Sequence, residues 1–167
     1  MNSNLLFDFT VNKENNTIVI KREFNANLEL VWQAWTTAEL LDQWWGPEPC
    51  RAETKTMDFR EGGFWLYCMI TPENQKHWGR QNYEKIMLHK NFSGTDAFCD
   101  ENGIVNPEFP AGKFENLFSE VEGKTLVTII STHNSFEDVE ETIEMGYTEG
   151  MRVNCQQLDE LLLTLKS

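Results

Sequence analysis

Asp58, Arg60 and Glu61 group acid and base within four residues and are a candidate for chemistry. A carboxylate beside a guanidinium inside a cavity can orient a polar ligand or pass a proton. The trio abuts Gly62-Gly63, however, where an ion pair or a turn cap is the commoner reason for such residues, and that structural reading is favoured. Glu149 and Arg152 stand three apart, as a surface pair on one helix would. His77, His89 and His133 are scattered, and no Ser or Cys stands at a recognisable triad spacing from them. There is no nucleophile elbow, no phosphate-cradling glycine loop and no metal motif. Cys50, Cys68, Cys99 and Cys155 are widely spaced without a CxxC, so they read as reduced thiols of a cytoplasmic chain rather than zinc ligands. No catalytic residue, metal ligand or cofactor follows from these patterns. Asp58, Arg60 and His89 remain as candidate polar groups of a cavity.

The stronger signal is aromatic. Four of the six tryptophans fall between Val31 and Pro47, and Trp65, Tyr67 and Met69 follow in alternation. With Phe59, these side chains could cage an apolar or aromatic molecule and offer indole N–H and phenol O–H groups to orient it. Plain core packing is the alternative. We expect most of them to be core, with two to four also touching a cavity.

Such bulky groups need elements to hold them. Leu28, Val31, Trp32 and Trp35 form one helical stripe, and Leu40, Leu41, Trp44 and Trp45 a second, stopped by Gly46-Pro47. Asn27 is a good N-cap for the first helix. Residues 17–24 read as a strand before the two helices, with residues 1–6 frayed. After them come strands at 51–59 and 64–70, joined by the Gly62-Gly63 turn, and strands near 77–88, 92–99, 112–121 and 124–132. Residues 104–111 carry two prolines and read as an open loop. Residues 135–142 read as a short capped helical turn, with Ser135 and Asp138 as cap candidates. Tyr147, Met151, Cys155, Leu158, Leu162 and Leu165 make a continuous stripe on a long last helix. The strand 64–70 is unusual because Phe64, Leu66, Cys68 and Ile70 make its other face apolar too. A homodimer contact would explain that, as would cover from a loop or the N-terminal segment.

One strand, two small helices, about six to seven antiparallel strands in all and one long terminal helix predict an α+β fold. A curved antiparallel sheet wrapped around that helix encloses space, and small-molecule sites are concave and mostly apolar. At 167 residues without repeats or linkers, the chain reads as one domain spanning 1–167, with its core at about 17–165. Hydrophobic content of 40% and charged content of 25% are ordinary for a soluble protein. A net charge of −13 argues against nucleic acid and anionic membrane surfaces as partners. No apolar run is long enough for membrane insertion, and the N-terminus lacks a signal-peptide pattern.

The chain also resembles the activator of heat-shock-protein-90 ATPase homologue domain, in the START-like or polyketide-cyclase (helix-grip) superfamily. The resemblance rests on Arg22-Glu23-Phe24, Val31-Trp32-Gln33-Ala34-Trp35-Thr36, Leu40-Leu41-Asp42-Gln43-Trp44-Trp45-Gly46-Pro47 and Asp58-Phe59-Arg60-Glu61-Gly62-Gly63. It continues in Phe98-Cys99-Asp100-Glu101-Asn102-Gly103, Glu137-Asp138, Met145-Gly146-Tyr147 and Gly150. It spans roughly residues 17–165 and draws its strength from the ordered set rather than any one piece. It implies a helix-grip fold whose cavity holds a hydrophobic molecule, with Trp65, Tyr67 and Met69 facing inward. Family members often carry Gly-Trp where this chain has Gly150-Met151, which implies a differently shaped helix side. The polar run Arg80-Gln81-Asn82 is a second departure. We expect Trp32, Trp35, Trp45, Phe59, Trp65, Tyr67, Met69, Phe98, Met151 and Cys155 to line the cavity of a non-catalytic module for a small hydrophobic or aromatic ligand. The alternatives are a cyclase- or hydrolase-type enzyme using the same cavity, or a chaperone or stress-response protein partner. The family's chaperone role involves an additional domain, which weighs against the last.

Overall fold

The computed structural model describes residues 6–109 and 111–165. The reading of residues 1–6 as frayed therefore falls, apart from Leu6, outside the described residues. Leu6 itself is tied to Glu23, whose backbone N–H donates to the Leu6 carbonyl.

The first element is β1 (Phe7–Asn12), which pairs antiparallel with β2 (Thr17–Phe24). Two helices follow, α1 (Leu28–Thr36) and α2 (Ala38–Trp44). Asn27 caps α1 as expected, its side chain accepting from the Leu30 N–H at 2.8 Å. Strands β3 (Arg51–Met57), β4 (Phe64–Ile70), β5 (Lys76–Met87), β6 (Asn91–Cys99), β7 (Gly112–Val121) and β8 (Lys124–His133) complete one antiparallel sheet. Its order is β1-β2-β8-β7-β6-β5-β4-β3, so the chain folds as a meander whose last strand returns beside β2. Helices α3 (Phe136–Glu144) and α4 (Tyr147–Leu165) end the chain.

The architecture is the expected α+β helix grip: a curved antiparallel sheet closing around a long C-terminal helix. It has eight strands, however, rather than six to seven. The additional strand is β1, whose alternate positions Asp8, Thr10 and Asn12 are polar and whose edge location leaves most of it exposed. Phe7, Phe9 and Val11 alternate with these polar positions, so the period-two pattern is present, and the sequence reading simply begins its first strand at residue 17. Residues 136–144 form a full helix rather than a turn, with Ser135 as the cap that accepts from the Asp138 N–H.

Apolar side chains of α1, α2 and α4 meet the inner faces of β2, β7 and β8 to make the core. Val31, Trp32, Trp35, Leu41 and Trp44 come from the first two helices, and Cys155, Leu158 and Leu162 from α4. Helix α4 also ties down the end of α2. Asn154 accepts from the Gly46 N–H at 3.1 Å, and Gln157 donates to the carbonyls of Trp44 and Gly46. Gly46 is required here: its φ is +103°, and a Cβ would sit 2.7 Å from the Ala52 nitrogen.

The apolar outer face of β4 is covered within the chain. Leu66, Cys68 and Ile70 are buried. The Arg80 guanidinium lies over the Phe64 ring and donates to the Gly103 carbonyl, while Lys55 reaches the Glu101 carbonyl and the Trp78 ring. The loop after β6 and these long side chains thus supply the cover. The homodimer proposed from that face loses its reason.

Candidate functional site

A cavity of about 350 Å³ opens between the sheet and the α3–α4 region, which is within the range of small-molecule sites. The register explains which side chains reach it. Inner positions alternate along each strand: Tyr67 and Met69 on β4, Gly79 and Gln81 on β5, Asp96 and Phe98 on β6, Phe114 and Asn116 on β7, and Ile129, Ser131 and His133 on β8. Trp35, Trp45 and Pro47 form the wall from the α1–α2 side. Met145, Gly146, Tyr147, Gly150, Met151 and Asn154 form the helical roof. Gly146, at φ +95°, lets α3 break and α4 begin over the cavity. Gly79 leaves room for Tyr67, because a Cβ there would meet the phenol carbon and oxygen at 3.0 Å. Exposed lining residues, Phe98 and Met145, mark the mouth, where Phe98 packs edge-on against Phe109.

The walls are apolar, but one row across the sheet is not. Gln81, Asp96, Gly112 and His133 are successive partners on β5, β6, β7 and β8. With strands about 4.8 Å apart, the backbones of Asp96 and His133 stand roughly 10 Å apart, with a glycine between them. His133 leans over that glycine: a Cβ on Gly112 would lie 3.3 Å from its Nδ1. Its Nε2 is 2.9 Å from the Ser131 hydroxyl, whereas its Nδ1 has no protein partner.

Burial sets the proton affinities of these groups. It pushes Asp96 from 3.8 up to about 6, against the backbone N–H groups of Gly112 and of Asp96 itself, which favour the carboxylate. It pushes His133 below its usual value, opposed by the Asp138 charge. Tyr67 rises to about 12, mainly through burial, with the Asp96 charge adding to the rise. The Trp45 indole N–H is near enough to offset part of it without reaching hydrogen-bond geometry. Tyr147 is raised by burial and then by Asp96. Both phenols therefore stay neutral near pH 7.

Three further lining atoms have no protein partner: Nε1 of Trp35, Nε1 of Trp45 and Oδ1 of Asn116. A buried polar group left unpaired costs about 1–3 kcal/mol, so each has free energy to gain from a ligand group.

Of the residues named from sequence, the cavity wall takes Trp35, Trp45, Tyr67, Met69, Phe98 and Met151. Four others sit elsewhere. Trp32 is closed into the solid core among Phe59, His89, Phe92 and Phe118. Phe59 packs edge-on against Tyr83 at 4.8 Å. Trp65 faces inward but lies beneath Tyr67, stacked at 4.1 Å, with its N–H donated to the Thr54 hydroxyl. Cys155 is fully buried core, its thiol pushed up to about 12 by that burial. The polar candidates also lie outside. Asp58 and Arg60 form an exposed ion pair at 2.6 Å in the β3–β4 turn, the structural role favoured from sequence. His89 occupies the β5–β6 turn at φ +62° with its ring against Trp32.

Asp96, Asn116, Ser131 and Asn154 went unnamed in the sequence reading, Tyr147 was read only as part of the stripe on the last helix, and His133 was seen only as one of three scattered histidines. Asp96 was within reach: in β6, Phe92, Gly94, Asp96 and Phe98 share one face, and Phe98 had been named. Among the described residues, no three His, Cys, Asp or Glu side chains are placed to hold a metal ion. Nor is any helix among them long and apolar enough to cross a membrane.

A curved antiparallel sheet gripping a C-terminal helix over a mixed apolar and polar cavity defines a helix-grip protein. The chain belongs to the family described as Activator of Hsp90 ATPase homolog 1-like protein, whose model matches residues 25–163. It is similar to protein Ms6760 from Mycobacterium smegmatis, at 29% identity over 95% of this chain and 96% of that one, with a TM-score of 0.87. It is also similar to a protein from Arthrobacter aurescens, at 31% identity over 94% and 91%, with a TM-score of 0.88. A Staphylococcus epidermidis protein matches at 28% identity over 93% and 94%, with a TM-score of 0.82. No curated protein matches this chain.

Proposed function

We propose that this chain is a binding module for a small, mostly apolar or aromatic molecule held between the sheet and α4. The observation that carries the reading is the cavity itself: aromatic and aliphatic walls interrupted by buried polar atoms without protein partners. Apolar area supplies affinity, and the unpaired groups supply orientation. The four cysteines are all free, which fits a reducing compartment such as the cytoplasm. Thermal denaturation against a panel of apolar and aromatic compounds tests the reading. A true ligand at 100 times its Kd stabilises the fold by about 2.7 kcal/mol. A panel that shifts no melting temperature, with cavity-filling variants equally indifferent, overturns it.

A second reading is favoured by one observation. Asp96 and His133 share a row and face the same space, and burial raises the carboxyl to about 6 while lowering the imidazole from its usual value. A protonated carboxyl and a neutral imidazole are a competent acid and base for a cyclase- or hydrolase-type reaction. Recovery of a bound aromatic ester or enone chemically unchanged supports the binding module. Its conversion by the wild type but not by Asp96→Asn moves the assignment to an enzyme.

A further inference from the structure

We infer that the molecule held in this cavity is an organic cation, an apolar or aromatic body bearing a protonated amine that pairs with Asp96 across the space above Gly112. The inference rests on the binding reading above and assigns its ligand class.

Three observations lead to it. First, the Asp96 carboxylate has no cationic side chain beside it among the described residues. Arg80 is the one fixed cation that borders the cavity, and its guanidinium is committed elsewhere. It donates to Asn82 and to the Gly103 carbonyl and lies over Phe64 on the outer face. A partly buried carboxylate with only backbone N–H groups for company is an uncompensated charge, and a bound ammonium removes that cost.

Second, the two unpaired atoms on the sheet side with Asp96 are acceptors, whereas the unpaired donors, Nε1 of Trp35 and of Trp45, belong to the α1–α2 wall. Asn116, only 4% exposed, leaves Oδ1 unpaired. His133 leaves Nδ1 unpaired above Gly112, on the side of Asp96. When the Nε2–H donates to Ser131, Nδ1 presents a lone pair; that tautomer is inferred from the network. An ammonium brings three donors and no acceptor, so it can serve Asp96 and Nδ1 together. Gly112 supplies the gap in which it does so. A carboxylate or phosphate would bring more acceptors to an acceptor site.

Third, the surroundings suit a cation. Tyr67 and Tyr147 line the same cavity as Asp96. Aromatic faces attract ammonium groups. The chain's net charge of −13 also draws cations toward the mouth and repels anions.

The titratable groups facing Asp96 are Tyr67 from β4, His133 from β8 and Tyr147 from α4. The phenols stay neutral through the neutral range. Acidification protonates Asp96 and charges His133, and both changes weaken cation binding.

Tryptamine, tryptophol and indole-3-acetate share an indole body and differ in carrying a cation, an alcohol or an anion. Calorimetric titration of all three into the wild type and Asp96→Asn tests the proposal. At about pH 8, tryptamine should bind at least about tenfold more tightly than tryptophol, with indole-3-acetate weakest. Asp96→Asn should remove that preference, weakening tryptamine about tenfold while tryptophol changes less than about twofold. Unchanged tryptophol binding also shows that the variant keeps its fold. In the wild type, the preference should fade on going to about pH 5. Equal binding of tryptophol or indole-3-acetate, or an amine preference that survives in Asp96→Asn and at low pH, overturns the cation assignment and leaves the binding reading standing. Failure of all three to bind also overturns it, and the apolar panel described above then decides separately whether the binding reading falls with it.

Discussion

Asp96 is the residue at which the sheet's geometry becomes chemistry. Its folded-state proton affinity is raised, from 3.8 to about 6, so the native protein holds this proton more tightly than the unfolded chain. The ionised form therefore destabilises the unliganded fold above pH 6, and that penalty is relieved as pH falls from 6 toward 4. Asp96→Asn should be more stable than the wild type at pH 7–8 by on the order of 2 kcal/mol, the advantage shrinking to near zero by pH 4. His133 acts with the opposite sign. Its lowered affinity means that the unfolded chain takes up protons first, so stability declines as pH drops below about 6.5. That contribution is common to both proteins and cancels in the difference. Chemical denaturation of the pair at several pH values checks the sign. A variant less stable at pH 8 would show that Asp96 is compensated in the fold after all. Trp65 and Tyr67 make a related point about single residues. Alternation put both on one face and the family resemblance turned that face inward, but only Tyr67 borders the cavity, because it stacks over its neighbour.

Among the elements, α4 matters most, because it closes the core and roofs the cavity at once. Its hold on the sheet includes Arg22 of β2, whose guanidinium meets Asp159 with side-chain exposures of only 7% and 16%. Burial raises the proton affinity of Asp159, and Arg22 partly restores the carboxylate. Removing one partner strands the other charge. Arg22→Ala should cost roughly 3 kcal/mol in urea denaturation, while the double variant Arg22→Met/Asp159→Leu should recover most of it. Equal losses for the single and double variants would mean that the guanidinium's contact with the Phe24 ring, not the ion pair with Asp159, was the contribution. The stripe on α4 was plain in the sequence because it repeats over five turns. Strand β1 alternates just as strictly, but over only six residues, and the reading begins its first strand at residue 17.

At the scale of the whole molecule, the cavity exists because the sheet and α4 do not fully meet. Met151 projects from the roof and Gly150 beside it faces Pro47, where an added Cβ would lie 3.6 Å from the Pro47 Cγ, in ordinary van der Waals contact. Met151→Trp should occupy part of the hollow. We expect at least about tenfold weaker binding of whichever compound gives the largest thermal shift, with the circular dichroism spectrum retained. Undiminished binding would place the ligand outside this cavity. The net charge of −13 is a second global property. Self-repulsion at that charge is screened by salt, so raising ionic strength from low values should raise Tm, by about 2–4 °C for each 1 kcal/mol recovered. A melting temperature that falls with added salt would show that attractive pairs outweigh the repulsion.

Local spacing and capping chemistry determined α1, α2, α4, seven of the eight strands and the α1 cap at Asn27, because each reflects neighbours in the chain against a buried surface, whereas the inward direction of the β4 face came from the family resemblance. The family resemblance added the helix grip. Which inward residues line a hollow rather than fill the core was decided only by tertiary structure. Trp32 and Tyr67 are both aromatic and both expected at the cavity from sequence, yet one is enclosed by four rings from distant strands and turns and the other faces open space. The row joining Gln81, Asp96, Gly112 and His133 spans four strands, and its members come together through register. Register is set by where every strand begins and by the bulges between them, so no local window of sequence contains it.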